Sequence, residues 1–458
     1  MTDPWKACDI RGVFPTEVST DLLRRVGSSV ATNLSAGSRV LIAGDFRLST
    51  PRLKATLAEG LLAAGARVLD AGQVATPVAY FARQHWKTDA VLIVTASHNP
   101  PEYNGLKLMI GSLPPAPEDF ALLRHQAEEG SYRRAEGSLE TIDPVPAYQQ
   151  SVFVRWQKIT ESNPIAVVLD AGNGAWSELA PHLFERLGFR VHPLFCEIDG
   201  SFPNRSPDCA RAGSVMALQN EVLRTGSDLG IAWDGDGDRV AFVDGTGSIV
   251  STDEVSALMI HTMVAEEPGA KIVYDIKLSE IVRRSVLESG GRPIMERSGH
   301  TFIKRRMIRE GCLLGCEASG HYFFRELHGG DDGLFAALFM TQLVARRGLP
   351  LAQLRGSLTP FFVTPDLRFS ARKLPFGETI ARLRRLFDSA RETTIDGLRL
   401  ETPDGYVLAR ESVTEPVVTM RVEGFSDEKL RRLIEVSLEA LPEVAPEISA
   451  QVEQMKKS

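Results

Sequence analysis

The sequence predicts an α/β protein of three or four domains, with largely parallel sheets over the first three-quarters and a smaller α+β domain after about Pro360. Three observations carry this. A chain of 458 residues exceeds what one hydrophobic core organises. Short apolar runs alternate with helix-length periodic segments, the pattern of βα repeats. Beyond Pro360 the runs change to closely spaced strands with two helices, which suits an antiparallel sheet.

Taken in order, Val40–Ala43 reads as a strand, Pro51–Ala64 as a helix, and Ala66–Leu69 and Ala90–Val94 as further strands. Pro144-Val145-Pro146 reads as a linker before a new unit whose first strand is Ala166–Leu169. Asp228–Trp233 is the next apolar run, and a second break falls near Ser251–Asp253, before a helix beginning around Glu254. Cys312–Gly315 continues the series. In the last part, Leu367–Ser370, Gly397–Glu401, Tyr406–Arg410 and Val417–Val422 read as strands, with helices near Glu378–Ala390 and Asp427–Ala440. Residues from Val452 onward are expected to fray.

Composition narrows the function classes. Apolar residues make up 43% and charged residues 24%, as in a soluble globular chain. The net charge of −7 provides no global basic field for nucleic acid, so an anionic ligand needs a local basic cleft. No apolar run reaches the roughly 18–20 residues of a membrane span, and the first residues lack a secretion-signal pattern. Cys8, Cys196, Cys209, Cys312 and Cys316 are odd in number and scattered, which reads as reduced packing residues in a cytoplasmic protein.

Three polar loops each follow a buried strand, and in open α/β sheets ligands gather at such carboxyl ends. The first is Thr95-Ala96-Ser97-His98-Asn99-Pro100, with Asn104-Gly105 and Lys107 close behind. Its serine is a candidate nucleophile, although Asn-Pro and Pro-Pro also punctuate ordinary turns. The Gly-x-Ser-x-Gly elbow of acyl-transfer enzymes is missing. The second loop, Asp234-Gly235-Asp236-Gly237-Asp238-Arg239, alternates carboxylates with flexible glycines. Three packed anions call for a cation, and all-oxygen ligation suits Mg²⁺. A calcium EF-hand is excluded, because its sixth position is Arg239 and its twelfth Gly245. Glu317, Ser319 and His321 form the third loop, whose neighbouring donors and acceptors suit a polyol. A fourth loop, Arg410-Glu411-Ser412-Val413-Thr414-Glu415-Pro416, sets an arginine among hydroxyls and turn amides, a way to hold phosphate. Together the loops point to phosphoryl transfer to or from a phosphosugar.

These four motifs, in this order and beginning from Asp9-Ile10-Arg11-Gly12, resemble the α-D-phosphohexomutase family, most closely its bacterial phosphomannomutase/phosphoglucomutase branch. The resemblance covers nearly the whole chain. It implies four domains around a central cleft, three of them related α/β/α units with mixed, mainly parallel sheets, divided as 1–145, 146–250, 251–362 and 363–458. It implies that Ser97 carries a phosphoryl group, with Asp234, Asp236, Asp238 and a Ser97 phosphate oxygen holding Mg²⁺. Glu317 and Ser319 would read sugar hydroxyls, and Arg239 would lie beside the metal loop. Arg410, Ser412 and Thr414 would hold the phosphate that is not being transferred. Arg11, His98, Lys107, Lys277, His300 and His321 match cleft positions, among which general acid and base duty falls.

The implied reaction interconverts hexose 1-phosphate and hexose 6-phosphate of mannose or glucose through a hexose 1,6-bisphosphate, which is both intermediate and activator. The implied partner is a phosphosugar, with no nucleic acid or membrane, in a monomer or homodimer. Phosphoglucosamine mutase is the runner-up; a phosphoserine-dependent sugar phosphatase and a non-catalytic phosphosugar-binding protein are the readings from other classes. The chain departs from the family pattern at Cys8 (usually tyrosine), Val413 (usually glycine or asparagine) and Cys316 (commonly glycine).

Overall fold

The structure, a computed structural model, describes residues 3–7, 9–157, 165–211, 213–411 and 416–455. The expectations for Cys8, Ser412, Val413 and Thr414 lie outside the described residues.

Three sheets repeat one topology. In the first, Arg39–Gly44 has parallel neighbours Arg67–Gln73 and Ala90–Val94, and Ala90–Val94 is followed by its antiparallel partner Tyr103–Ile110. Ile10–Val13 and Ser138–Thr141 close the two edges. In the second, Ala166–Asp170 lies between Arg190–Leu194 and Leu229–Trp233, both parallel to it, and Leu229–Trp233 returns antiparallel through Val240–Asp244. In the third, Lys271–Asp275 lies between Arg292–Glu296 and Leu314–Cys316, with Tyr322–Phe324 as the antiparallel return. The parallel strands are apolar almost without interruption: Ala90–Val94, Ala166–Asp170 and Leu229–Trp233 are buried at every position. That pattern follows from helices covering both faces.

The three units also share a core. One apolar cluster runs from Leu41 and Ile93 of the first sheet through Trp156, Trp176 and Trp233 to Phe324 and Phe335 of the third. Aromatic residues bury the most surface per side chain and dominate such junctions. The fourth sheet is antiparallel throughout, in the order Phe362–Val363, Val417–Gly424, Gly405–Glu411, Leu398–Thr402, Arg391–Thr393, with Leu367–Ser370 also paired to Val417–Gly424. It has its own core of Leu367, Phe369, Leu400, Met420 and Leu433. Arg399 ties it to the third unit: its side chain is buried and donates to the carbonyls of Ile276 (2.8 Å) and Leu278 (3.4 Å), with the Tyr406 ring beneath it.

Some local expectations are corrected. Pro144-Val145-Pro146 is not a free linker but opens the helix Val145–Trp156. A proline in the first helical turn sacrifices no hydrogen bond and presets φ, and the helix turns Tyr148, Val152 and Trp156 into the shared core. The helix expected to Ala390 runs Phe376–Leu386 and gives way to the short strand Arg391–Thr393. The helix Ala445–Met455, anchored by buried Ile448, includes Val452, and residues 456–458 of the segment expected to fray lie outside the described residues. Ser251 caps the helix Thr252–Glu266 in a capping box with Glu254. Cys196, Cys209, Cys312 and Cys316 are free thiols. Among the described residues no helix is long and apolar enough to cross a membrane.

Candidate active site

The repeated topology explains why chemistry collects at one place. In each α/β unit the loop between the third parallel strand and its antiparallel return leaves the carboxyl edge of the sheet. Those loops are 95–102, 234–239 and 317–321. They meet through side chains from all three units.

Ser97 sits in the left-handed region at φ +50°, a conformation uncommon for residues other than glycine. Its surroundings hold it there. Its N–H is accepted by Thr95 Oγ1 at 2.9 Å, and its carbonyl accepts from Arg47 Nη2 at 2.7 Å. Arg47 is fully buried and also donates to the carbonyls of Asn99 (2.6 Å), Pro100 (2.6 Å) and Tyr103 (3.1 Å), while Asp45 balances its charge at 3.1 Å. One guanidinium therefore shapes the whole serine loop. Gly235 lets the loops close on each other: a Cβ there would lie 2.6 Å from the Ser97 carbonyl oxygen. The Ser97 hydroxyl donates to Asp234 Oδ2 at 2.6 Å.

Asp234, Asp236 and Asp238 are all buried, and one carboxylate oxygen from each falls within 4.8 Å of the others. Burial raises the carboxyl pKa of each. At Asp236 and Asp238 the Lys107 ammonium reverses that effect and holds both below the usual carboxylate range. Asp234, facing the other two carboxylates, is pushed up to about 8. Lys107 Nζ donates to Asp236 Oδ2 at 2.8 Å and also to Asp238. Asp236 Oδ2 further accepts from Thr76 (2.7 Å) and Thr95 (3.2 Å), while its buried Oδ1 has no hydrogen-bond partner among the described residues. Three hard oxygen donors with an orphaned one among them fit a divalent cation.

The sugar loop is linked to the triplet through His321. Burial by itself lowers this imidazole, but Asp238 and Glu317 outweigh it and push His321 up to about 10. It is a cation that donates to Asp238 Oδ1 from Nε2 (3.1 Å), with Glu317 Oε2 at 3.2 Å and Ser319 Oγ at 2.9 Å from Nδ1. Glu317 falls to about 2 against its own burial, because His321 and Arg239 face it. His300, first residue of the helix His300–Glu310, stacks on His321 with centroids 5.8 Å apart. Burial and then the Lys107 charge lower it to about 4, and its buried Nε2 has no partner among the described residues. His98, 3.4 Å from Ser97 Oγ, is likewise held well below its ordinary pKa by burial and by Arg239 and Arg11. Arg11 donates to Asn99 Oδ1 at 2.9 Å and pairs with Asp9.

Thus Ser97, His98, Arg11, Lys107, the Asp triplet, Arg239, Glu317, Ser319, His300 and His321 form one cluster. Lys277 and Arg410 make their contacts elsewhere. Lys277 pairs with Asp366 at the start of the fourth domain, and Arg410 lies 2.6 Å from Asp396. Lys277 connects to the sugar loop through Asp275, whose Oδ1 accepts the Lys277 N–H (2.9 Å) and whose Oδ2 accepts the Ala318 N–H (3.2 Å). The sequence reading missed Arg47, Thr76, Asp275, Lys304, Asp331 and Asp396. Asp45-Phe46-Arg47 leaves the carboxyl end of Arg39–Gly44, and Asp275 ends Lys271–Asp275, so the strand-end rule points to both. Lys304 and Asp331, 3.1 Å apart and buried beside His321, carry no such signal.

Comparison with known proteins gives a consistent picture. Models for the phosphoglucomutase/phosphomannomutase family match the chain in four parts: alpha/beta/alpha domain I at residues 5–132, domain II at 146–247, domain III at 251–361 and the C-terminal domain at 371–440. A phosphomannomutase/phosphoglucomutase of Pseudomonas aeruginosa is 35% identical over 434 residues, covering 94% of this chain and 93% of the relative. A phosphoglucomutase of Neisseria gonorrhoeae is 34% identical over 440 residues, covering 94% and 95%. The crystal structure of a phosphoglucomutase/phosphomannomutase family protein from Burkholderia thailandensis superposes with a TM-score of 0.87 at 36% identity, covering 96% of each chain.

Proposed function

The chain belongs to the phosphoglucomutase/phosphomannomutase family, and from that premise we propose that it interconverts hexose 1-phosphate and hexose 6-phosphate by carrying a phosphoryl group on Ser97. The enzyme is a phosphohexomutase, an isomerase of carbohydrate metabolism. The observation that carries the assignment of Ser97 is its hydroxyl 2.6 Å from Asp234 Oδ2, at the edge of the buried Asp triplet.

In this reading Asp234, Asp236, Asp238 and an oxygen on phosphorylated Ser97 would hold Mg²⁺, which supplies charge neutralisation to the moving phosphoryl group. The protein's own residues do the rest. Lys107, Arg11 and Arg239 offset negative charge around Ser97. Glu317, kept ionised, and Ser319 accept and donate hydrogen bonds with adjacent sugar hydroxyls. Arg410, with Ser412 and Thr414, grips the phosphate that is not in transit. The proton from the attacking hydroxyl goes to a neutral imidazole, which His300 and His98 are and the cationic His321 is not. The bond from Ser97 Oγ to phosphorus breaks as the bond from phosphorus to the sugar oxygen forms, giving a 1,6-bisphosphate and a Ser97 hydroxyl whose oxygen has taken up a proton; the bisphosphate turns over, and its other phosphoryl group returns to Ser97 by the reverse of that step.

The test is peptide mass spectrometry of the purified protein before and after incubation with glucose 1,6-bisphosphate. Phosphate on Ser97 is expected. Stoichiometric phosphate elsewhere, with Ser97 never labelled, would overturn the assignment. Coupled assays with glucose, mannose and glucosamine 1-phosphates rank the sugars.

A further inference from the structure

Arg410 does not stand free at the end of its strand. Gly397 takes φ +81°, and a Cβ on it would lie 2.3 Å from the Ala409 carbonyl oxygen and 2.9 Å from Arg410 Cγ. Only a residue without a side chain allows that approach. The turn it belongs to brings Asp396 to the guanidinium, with Asp396 Oδ2 2.6 Å from Arg410 Nη2. The same oxygen accepts the Ser298 N–H of the third unit at 3.0 Å. Ser298 Oγ donates to Asp275 Oδ1 at 2.5 Å, and Asp275 Oδ2 accepts the Ala318 N–H within the sugar loop. A continuous path thus runs from the phosphate-loop arginine to the sugar loop, passing two residues from His300.

We infer that Asp396 is a displaceable counter-ion for Arg410, holding the guanidinium donor that a phosphate oxygen of the phosphosugar takes over. The inference rests on the reading of Arg410 as a phosphate grip. Arg410 Nε is buried and has no hydrogen-bond partner among the described residues. A planar guanidinium binds phosphate best through two parallel N–H groups. Of the side-on pair Nε and Nη2, Nη2 is the group that faces Asp396 and that a phosphate oxygen must take over. Asp396 therefore sets phosphate affinity below what Arg410 alone would reach. That suits an enzyme whose bisphosphate intermediate must let go of its grip once in each cycle. On release, Asp396 recaptures Arg410 and restores the tie to Ser298. Asp396 is a positioning residue; it acts on phosphate through the arginine.

The experiment measures binding without turnover, by calorimetric titration of glucose 1-phosphate into Ser97→Ala, Ser97→Ala/Asp396→Asn and Ser97→Ala/Arg410→Ala. Asparagine keeps the size and an oxygen for the Ser298 N–H but removes the competing charge. The expected result is a Kd about three- to tenfold lower in the Asp396→Asn protein, the range of one partly exposed charge-assisted contact. Simple structural damage would move Kd the other way. A Kd equal to or above that of Ser97→Ala, while Arg410→Ala binds more weakly, overturns the counter-ion role and leaves the grip intact. If Arg410→Ala binds as tightly as Ser97→Ala, the grip reading fails, and the counter-ion role with it.

Discussion

Replacing Lys107 with methionine keeps the length of the side chain and removes its charge from between Asp236 and Asp238. The side chain of Lys107 is 2% exposed and those of its partners 0% and 1%, so water does not replace the ammonium. Removing one member of a buried ion pair costs about 3–5 kcal/mol, because the other charges remain without compensation. The three α/β units share a core, and in a cooperative unit of that size each kcal/mol shifts Tm by about 1–2 °C, giving a fall of roughly 3–10 °C. The assay is thermal unfolding followed by circular dichroism, in chelator and in saturating Mg²⁺. In chelator the variant should melt well below the unmodified protein. A divalent cation among the Asp triplet restores the missing positive charge, so Mg²⁺ should raise the variant's Tm by more than it raises that of the unmodified protein. Equal melting in chelator, or an equal gain from Mg²⁺, would refute the electrostatic account of the triplet.

Arg47→Lys should loosen the Ser97 loop, because one ammonium cannot reach the four carbonyls that the guanidinium spans. Phosphorylation of Ser97 by glucose 1,6-bisphosphate should slow about tenfold, the equivalent of about 1.4 kcal/mol, as read by rapid-quench mass spectrometry. An unchanged rate would remove Arg47 from the account. Gly235→Ala places a methyl 2.6 Å from the Ser97 carbonyl oxygen; kcat should fall about 10- to 100-fold through misplacement of the serine, with KM little changed. Glu423, buried where the fourth domain meets the third, accepts from the Glu280 N–H (3.1 Å) and is raised by burial to about 7. Its protonated form is the one folding favours. Its contribution is therefore fully present below its unfolded pKa near 4.3 and is lost as pH rises through about 7, an effect of at most about 4 kcal/mol. Urea titrations at pH 5 and pH 8 should show this loss in the unmodified protein and a smaller one in Glu423→Gln; equal losses would exclude Glu423 as the source.

The sequence by itself determined the alternation of strands and helices and the chemistry of the loops, because both are written in local patterns. Ala90–Val94 is an unbroken apolar run ending on a polar loop, and Asp-Gly-Asp-Gly-Asp announces clustered carboxylates to any reader of charge. Where local rules compete, the sequence misleads: Pro144-Val145-Pro146 has the composition of a linker, yet Tyr148 and Trp156 behind it had a core to reach. Only the tertiary structure decided which charges face one another. Lys107 and Asp238 are 131 residues apart, Ser97 and Asp234 are 137, and the pairing of each follows from how three sheets share one core. The protonation states follow from that placement as well. His300 and His321 look alike in the sequence, yet burial leaves the first neutral while two carboxylates make the second a cation. Burial and opposing charge are properties of the assembled fold, and no local pattern encodes them.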